Sequence, residues 1–189
     1  MNNMTHNTDN KIQTTKHITI IAVLLIVLGI AARFFPHPAN FAPIGAIALF
    51  GGLYINNRKL AFVLPIGAML ASDLFIGFYS WKMMAAVYAS FILMVGIGMF
   101  VKKHKRFSTI LSGTLLGSLL FFLITNAAVW AFGTIYPNTI DGLIASYAMG
   151  IPFFKNTLLG DVFFVSILVG SMESLLAWKK QIYHHESTV

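Results

Sequence analysis

The stretch Ser108–Phe132, STILSGTLLGSLLFFLITNAAVWAF, runs its whole length without a charged side chain. At ~1.5 Å per residue, about 20 residues cross a hydrocarbon core ~30 Å thick, and only helices or closed barrels satisfy their backbone there. The apolar residues neither alternate nor stop after a short run, so the stretch is too long for a barrel strand and reads as a tilted transmembrane helix. That reading sets the solvent for everything around it.

Immediately before it stands Lys102-Lys103-His104-Lys105-Arg106, the densest charge cluster of the chain, and before that a second apolar block, Met83–Val101. Tyr79-Ser80-Trp81-Lys82, with aromatics suited to a membrane interface, separates this block from another at Leu60–Phe78. The polar turn Asn56-Asn57-Arg58-Lys59 then parts Leu60–Phe78 from a shorter helix, with Asn40 at its N-cap, Pro43 in its first turn and its end near Ile55. Gly45, Ala46, Ala48, Gly51 and Gly52 make that helix rich in small residues, a composition that lets neighbouring helices approach closely. Pro36 and Pro38 break the chain between it and a first helix over His17–Phe35. Ahead of that, residues 1–16 are Asn- and Thr-rich without periodicity and read as a disordered leader. Ala31-Ala32 after a short apolar core offer a cleaved signal peptide as an alternative, which the long polar start disfavours.

Downstream, Gly133–Pro152 is too polar to cross a membrane, and the pattern predicts a short interfacial helix around Ile140–Met149 that acts as a lid. A sixth span follows at Phe153–Trp178, and residues 181–189 form a tail. The expected fold is an all-α membrane protein: a bundle of six transmembrane helices over 17–180, with the interfacial helix between helices five and six.

Composition agrees, since 57% of the residues are hydrophobic, 10% are charged and mean hydropathy is +0.77, outside the balance of a water-soluble domain. The net charge of +7 does not point to nucleic acid, because the basic residues are scattered between apolar blocks and form no patch. Assigned to alternate connections they fall into two sets. Lys11, Lys16, Arg58, Lys59, Lys102, Lys103, Lys105, Arg106, Lys179 and Lys180 lie on one side, against Arg33, Lys82 and Lys155 on the other. The positive-inside rule makes the first set cytoplasmic, which predicts a multi-pass protein of the inner membrane with both termini in the cytoplasm. With no cysteine there is neither disulfide nor thiolate chemistry, and no G-x-x-x-x-G-K-[ST] loop is present to bind ATP. The histidines lie in tails, loops or at a helix edge. No catalytic residue, metal ligand or cofactor is expected, and the chain does not read as an enzyme.

Ionisable groups inside spans are costly and mark function by default. Measured by helix rise from the cytoplasmic interface, Arg33 falls near ~24 Å, Asp73 near ~21 Å, Asn126 near ~26 Å and Asp161 near ~18 Å, so segments from four helices converge in the outer half. Asn126 and Trp130 share a helix face, as do Thr157 and Asp161. Asn40 adds a helix N-terminus, a place for an anionic group. The substrate-binding set is therefore Arg33, Asn40, Asp73, Asn126, Trp130, Asn156 and Asp161. A purely structural reading stands beside it, in which Arg33 neutralises Asp73 or Asp161 and Asn126 joins helices. Glu173, near the cytoplasmic end of the sixth span, is expected to pair with Lys179 or Lys180.

The strings Arg33-Phe-Phe-Pro-His-Pro-Ala-Asn-Phe-Ala-Pro, Ser72-Asp73, Thr125-Asn126-Ala-Ala-Val-Trp130 and Pro152-Phe-Phe-Lys-Asn156-Thr-Leu-Leu-Gly-Asp161 resemble those of an uncharacterised family of small bacterial membrane proteins linked with transport. In layout that family is similar to the substrate-binding S components of energy-coupling factor vitamin transporters. The resemblance implies six helices, both ends inside, a ligand held near the outer face, and separate ATPase and transmembrane energising subunits as partners. S components commonly carry A-x-x-x-A in the cytoplasmic half of helix one, where this chain reads Thr19-Ile-Ile-Ala-Val-Leu-Leu-Ile. The expectation is a small-molecule-capturing transport protein in the lipid bilayer. A proton- or sodium-coupled carrier using Asp73 and Asp161, and a non-transport membrane subunit, are the alternatives.

Overall fold

The computed structural model describes residues 2–32, 34–36 and 38–186, and among these the chain is helical throughout, without a strand. Six α-helices follow in order: α1 (Asn2–Ala32), α2 (Ile44–Tyr54), α3 (Arg58–Ile76), α4 (Trp81–Val101), α5 (Phe107–Phe132) and α6 (Ile140–Glu186), with one 3₁₀ turn at Lys102–His104. The backbone of α1 is helical from Asn2, so the polar leader runs on into the first apolar helix without a break. The Asn57 side chain accepts a hydrogen bond from the Leu60 N–H at 3.3 Å, which caps α3 two residues before the expected start of that span.

Three described helical stretches are long and apolar enough to cross a membrane: Trp81–His104, Phe107–Phe132 and Ile140–Lys179. Their outward faces are as apolar as their inward ones. On α5, Leu116, Leu119 and Leu123 are exposed, while the buried positions are Gly113, Thr114, Gly117, Ser118 and Ala128. On α6, Leu159, Phe163 and Ile167 are exposed along one face. Small and polar residues inside with leucine outside suits hydrocarbon as the surrounding solvent and reverses the order that water imposes.

The helix expected as a second span is different in kind. α2 has eleven residues, every one of them buried, and at ~1.5 Å per residue it reaches about half the depth of a bilayer core. It packs against each of the other five helices and forms the axis of the bundle. The glycines explain how it fits: a Cβ on Gly52 would run into the Val95 carbonyl of α4, and one on Gly98 into the Leu49 carbonyl of α2, so two backbones touch where a side chain would hold them apart.

The other correction concerns the separate interfacial helix at Ile140–Met149. These residues are the first turns of α6, which continues through Pro152 to Glu186. The Ser146 hydroxyl donates to the Asn126 carbonyl at 2.9 Å and the Tyr147 hydroxyl to the Leu123 carbonyl at 2.9 Å, fastening this segment to α5. Only residues 133–139 remain as a connecting loop, and the Trp130 indole N–H ties that loop back by donating to the Thr139 carbonyl at 3.0 Å.

Candidate functional site

The chain between α1 and α2 turns back into the bundle, and this turn creates the site. Asn40 has φ 64°, the left-handed region that asparagine tolerates better than most residues. Phe41 next to it packs against Phe163 and Phe164 of α6, with ring centroids 5.8 and 5.6 Å away. Gly160 allows the approach, since a Cβ there would lie 3.2 Å from the Phe41 Cα. From here α2 starts deep inside the protein, with its first N–H groups in need of acceptors.

Asp161 of α6 supplies one. Its carboxylate accepts from the Ala46 backbone N–H in the first turn of α2 and from the Ser118 hydroxyl of α5 at 2.7 Å, and only 2% of the residue is exposed. The carboxylate thus caps a helix to which it does not belong, where the positive end of the helix dipole favours it. Gly45 keeps the place open, because a Cβ there would collide with Asp161 Oδ1 and lie 3.0 Å from Met94 Cε.

Around this point lie two adjoining cavities on the side of the bundle away from the basic cluster. The deeper, about 210 Å³, has Asp161, Thr157, Gly45 and Asn40 among its walls, with Met69, Tyr79, Phe91 and Met94. The other, about 320 Å³, is bordered by Thr125, Asn126, Tyr136, Ser146, Gly150 and Phe153. Asn40, Val87 and Phe121 border both, so the two lie side by side. Phe121 stacks on Phe91 at 5.4 Å between ring centroids. Gly150 brings α6 close to Asn126: a Cβ there would meet the amide group.

Of the residues singled out from sequence, Asn40, Asn126 and Asp161 come together around these cavities. Asp73, although only 1% exposed, accepts from the Tyr88 hydroxyl at 2.9 Å between α3 and α4 and borders neither cavity. Trp130 serves the loop closure described above. Asn156 donates to the Ala39 carbonyl at 3.0 Å and holds the inturned segment from outside both cavities. Arg33 lies outside the described residues. Sequence reading missed Ser118, Tyr79, Phe91, Phe121 and Ser146. Thr114, Ser118 and Thr125, polar at helical spacing in an otherwise apolar helix, were the available signal for the inward face of α5.

At the other end of α2 the expected pairing of Glu173 is corrected. Its carboxylate accepts from the Tyr54 hydroxyl and from Lys105 Nζ at 2.6 Å, and that ammonium sits 4.6 Å from the Tyr54 ring centroid. Lys179 instead approaches His17 Nδ1 at 3.2 Å. Lys102 reaches the Asn56 side-chain oxygen at 2.7 Å. Helix packing brings the 102–106 cluster under the C-terminus of α2, so Lys105 pairs with Glu173 across 68 positions, while the Lys180 side chain lies outside the described residues. Among the described residues no group of three or more His, Cys, Asp or Glu is placed to hold a metal ion.

Fold and site together define a helical protein with membrane-length spans and a half-buried ligand-sized space. The chain belongs to DUF6580, a family of unknown function, which matches residues 13–184. No curated protein and no solved structure matches the chain.

Proposed function

We propose that this protein is an inner-membrane transport protein that captures a small molecule from the outer side, in the manner of a substrate-binding S component, and delivers it with energy supplied by other subunits. The observation that carries the reading is the pair of adjoining cavities, which between them gather Asn40, Asn126 and Asp161 from three separate parts of the chain. Largely apolar walls with a few convergent polar groups are the usual make-up of a small-molecule site; of the two volumes, about 320 Å³ falls at the small end of the usual range of about 300–1,000 Å³ and about 210 Å³ below it.

Orientation supports it. On the positive-inside rule the basic cluster favours a cytoplasmic Tyr54–Glu173 end of α2, with the cavity then in the outer half of the membrane. The chain's own part in transport is selection, with Asp161 and the Asn40 turn forming the receptor. Native mass spectrometry of gently purified protein should reveal a retained small molecule, and replacing Gly150 by Leu, which fills the space beside Asn126, should expel it. A protein that carries nothing and is stabilised by no member of a broad metabolite panel would defeat the proposal. Topology is checked separately: a reporter fluorescent only in the cytoplasm should light up when fused after residue 185.

A further inference from the structure

We infer that the deeper cavity takes a small organic cation with a flat, apolar body, its positive group directed at Asp161. This inference rests on reading the adjoining cavities as a ligand site. Asp161 is buried, and its two donors, the Ser118 hydroxyl and the Ala46 N–H, are both neutral. The N-terminus of α2 contributes a partial positive charge of about one half at most. Among the described residues, no lysine, arginine or histidine borders either cavity. A carboxylate withdrawn from water is stabilised by a positive charge beside it, and a cationic ligand in the cavity would bring one.

The same inventory argues against other ligand classes. An anionic ligand would meet a carboxylate and find no cationic side chain among the described walls, so its burial would cost more than the amide of Asn126 returns. A bare metal ion seeks several oxygen ligands, whereas most of the described residues around the deeper cavity are apolar, Met69, Val87, Phe91, Met94 and Phe121 among them. Those side chains suit an organic cation. Aromatic faces attract positive charge, the stacked Phe91 and Phe121 offer a surface for a ring, and methionine sulfur packs adaptably around it. Above them, Asn126, Thr125 and Ser146 suit a polar group at the far end of the same molecule.

The test uses the full chain in detergent and sets of equal-sized probes that differ only in charge: benzylamine and N-methylpyridinium as cations, benzyl alcohol as the neutral partner, benzoate as the anion. The cations should raise the melting temperature and bind about tenfold or more tightly than the neutral and anionic members, the margin of a charge-assisted contact. Asp161→Asn should erase that margin. Because Asp161 also caps α2, Ser118→Ala serves as the second variant: it keeps the charge and should keep the order of the probes. Benzyl alcohol or benzoate binding as well as the cations, or an anionic or neutral molecule found retained by native mass spectrometry, would overturn the cation assignment and leave capture intact. No response to any probe together with no retained molecule would overturn both.

Discussion

α6 closes both ends of α2 with a carboxylate, and the two are served differently. Glu173, with a half-exposed side chain, has a full positive charge beside it in Lys105 and a phenol in Tyr54. Asp161, 2% exposed, has a serine hydroxyl and a backbone N–H, and one side of it borders a cavity. The first arrangement is complete in itself: a pair at a wet boundary, where such contacts contribute modestly. The second joins the protein together with no ionic partner among the described cavity walls. The contrast separates a carboxylate that joins helices from one that can also meet a ligand, which hydropathy along α6 does not do.

The largest expected effect comes from removing the space between α2 and Asp161. Gly45→Val drives its side chain into the carboxylate and Met94, and should cost about 1–3 kcal/mol in stability, as overpacking does, while abolishing ligand-dependent stabilisation. Melting curves with and without the cationic probes measure both. Unchanged probe binding in a folded Gly45→Val protein would mean that the floor of the cavity lies elsewhere.

Asp161→Asn is the next probe of the contrast. It keeps shape and most hydrogen bonding but removes charge, and should weaken cation binding by about 1.5–3 kcal/mol. If binding holds and stability alone falls, Asp161 resembles Glu173 and the contrast fails. Ser118→Ala should lower stability by about 0.5–1.5 kcal/mol through the loss of one buried hydrogen bond, with the order of the probes preserved.

The smallest effect is expected at Glu173→Gln. Breaking the pair with Lys105 should change stability by no more than about 1 kcal/mol, less at high salt, and leave cation affinity unchanged. Isothermal titration at two ionic strengths checks this. A tenfold loss of affinity at Glu173→Gln would couple the two ends of α2 and blur the distinction drawn here.

Much of the architecture was legible because bilayer physics acts on composition over long windows. α4 and α5 are uninterrupted apolar blocks, and the observed helices fall within one or two residues of the expected spans. α2 was harder. Its small-residue content announced close packing, which Gly52 and Gly98 display, but a buried apolar helix and a lipid-facing one have the same hydropathy. The start of α6 was misread because Pro137, Asn138, Gly142 and Tyr147 made the stretch read as too polar for a span, whereas the hydroxyls of Ser146 and Tyr147 are satisfied by the carbonyls of α5. At the site, rarity inside apolar stretches identified Asp161 and Asn126, and the same criterion brought in Asp73, which lies between α3 and α4 beside Tyr88.

By itself the sequence determined that this chain is helical and apolar enough for a membrane, and where its polar exceptions lie, because those properties are carried by local composition and the period of the helix. Only the tertiary structure decided which exceptions meet. The inturned Asn40 segment starts α2 halfway through the bundle and lays its first turn against Asp161, and Gly45, Gly52, Gly98 and Gly160 let backbones approach where side chains would hold them apart. Contacts of that kind join residues far apart in sequence, Phe41 and Gly160 among them, through shape and hydrogen-bond geometry, which no local pattern encodes.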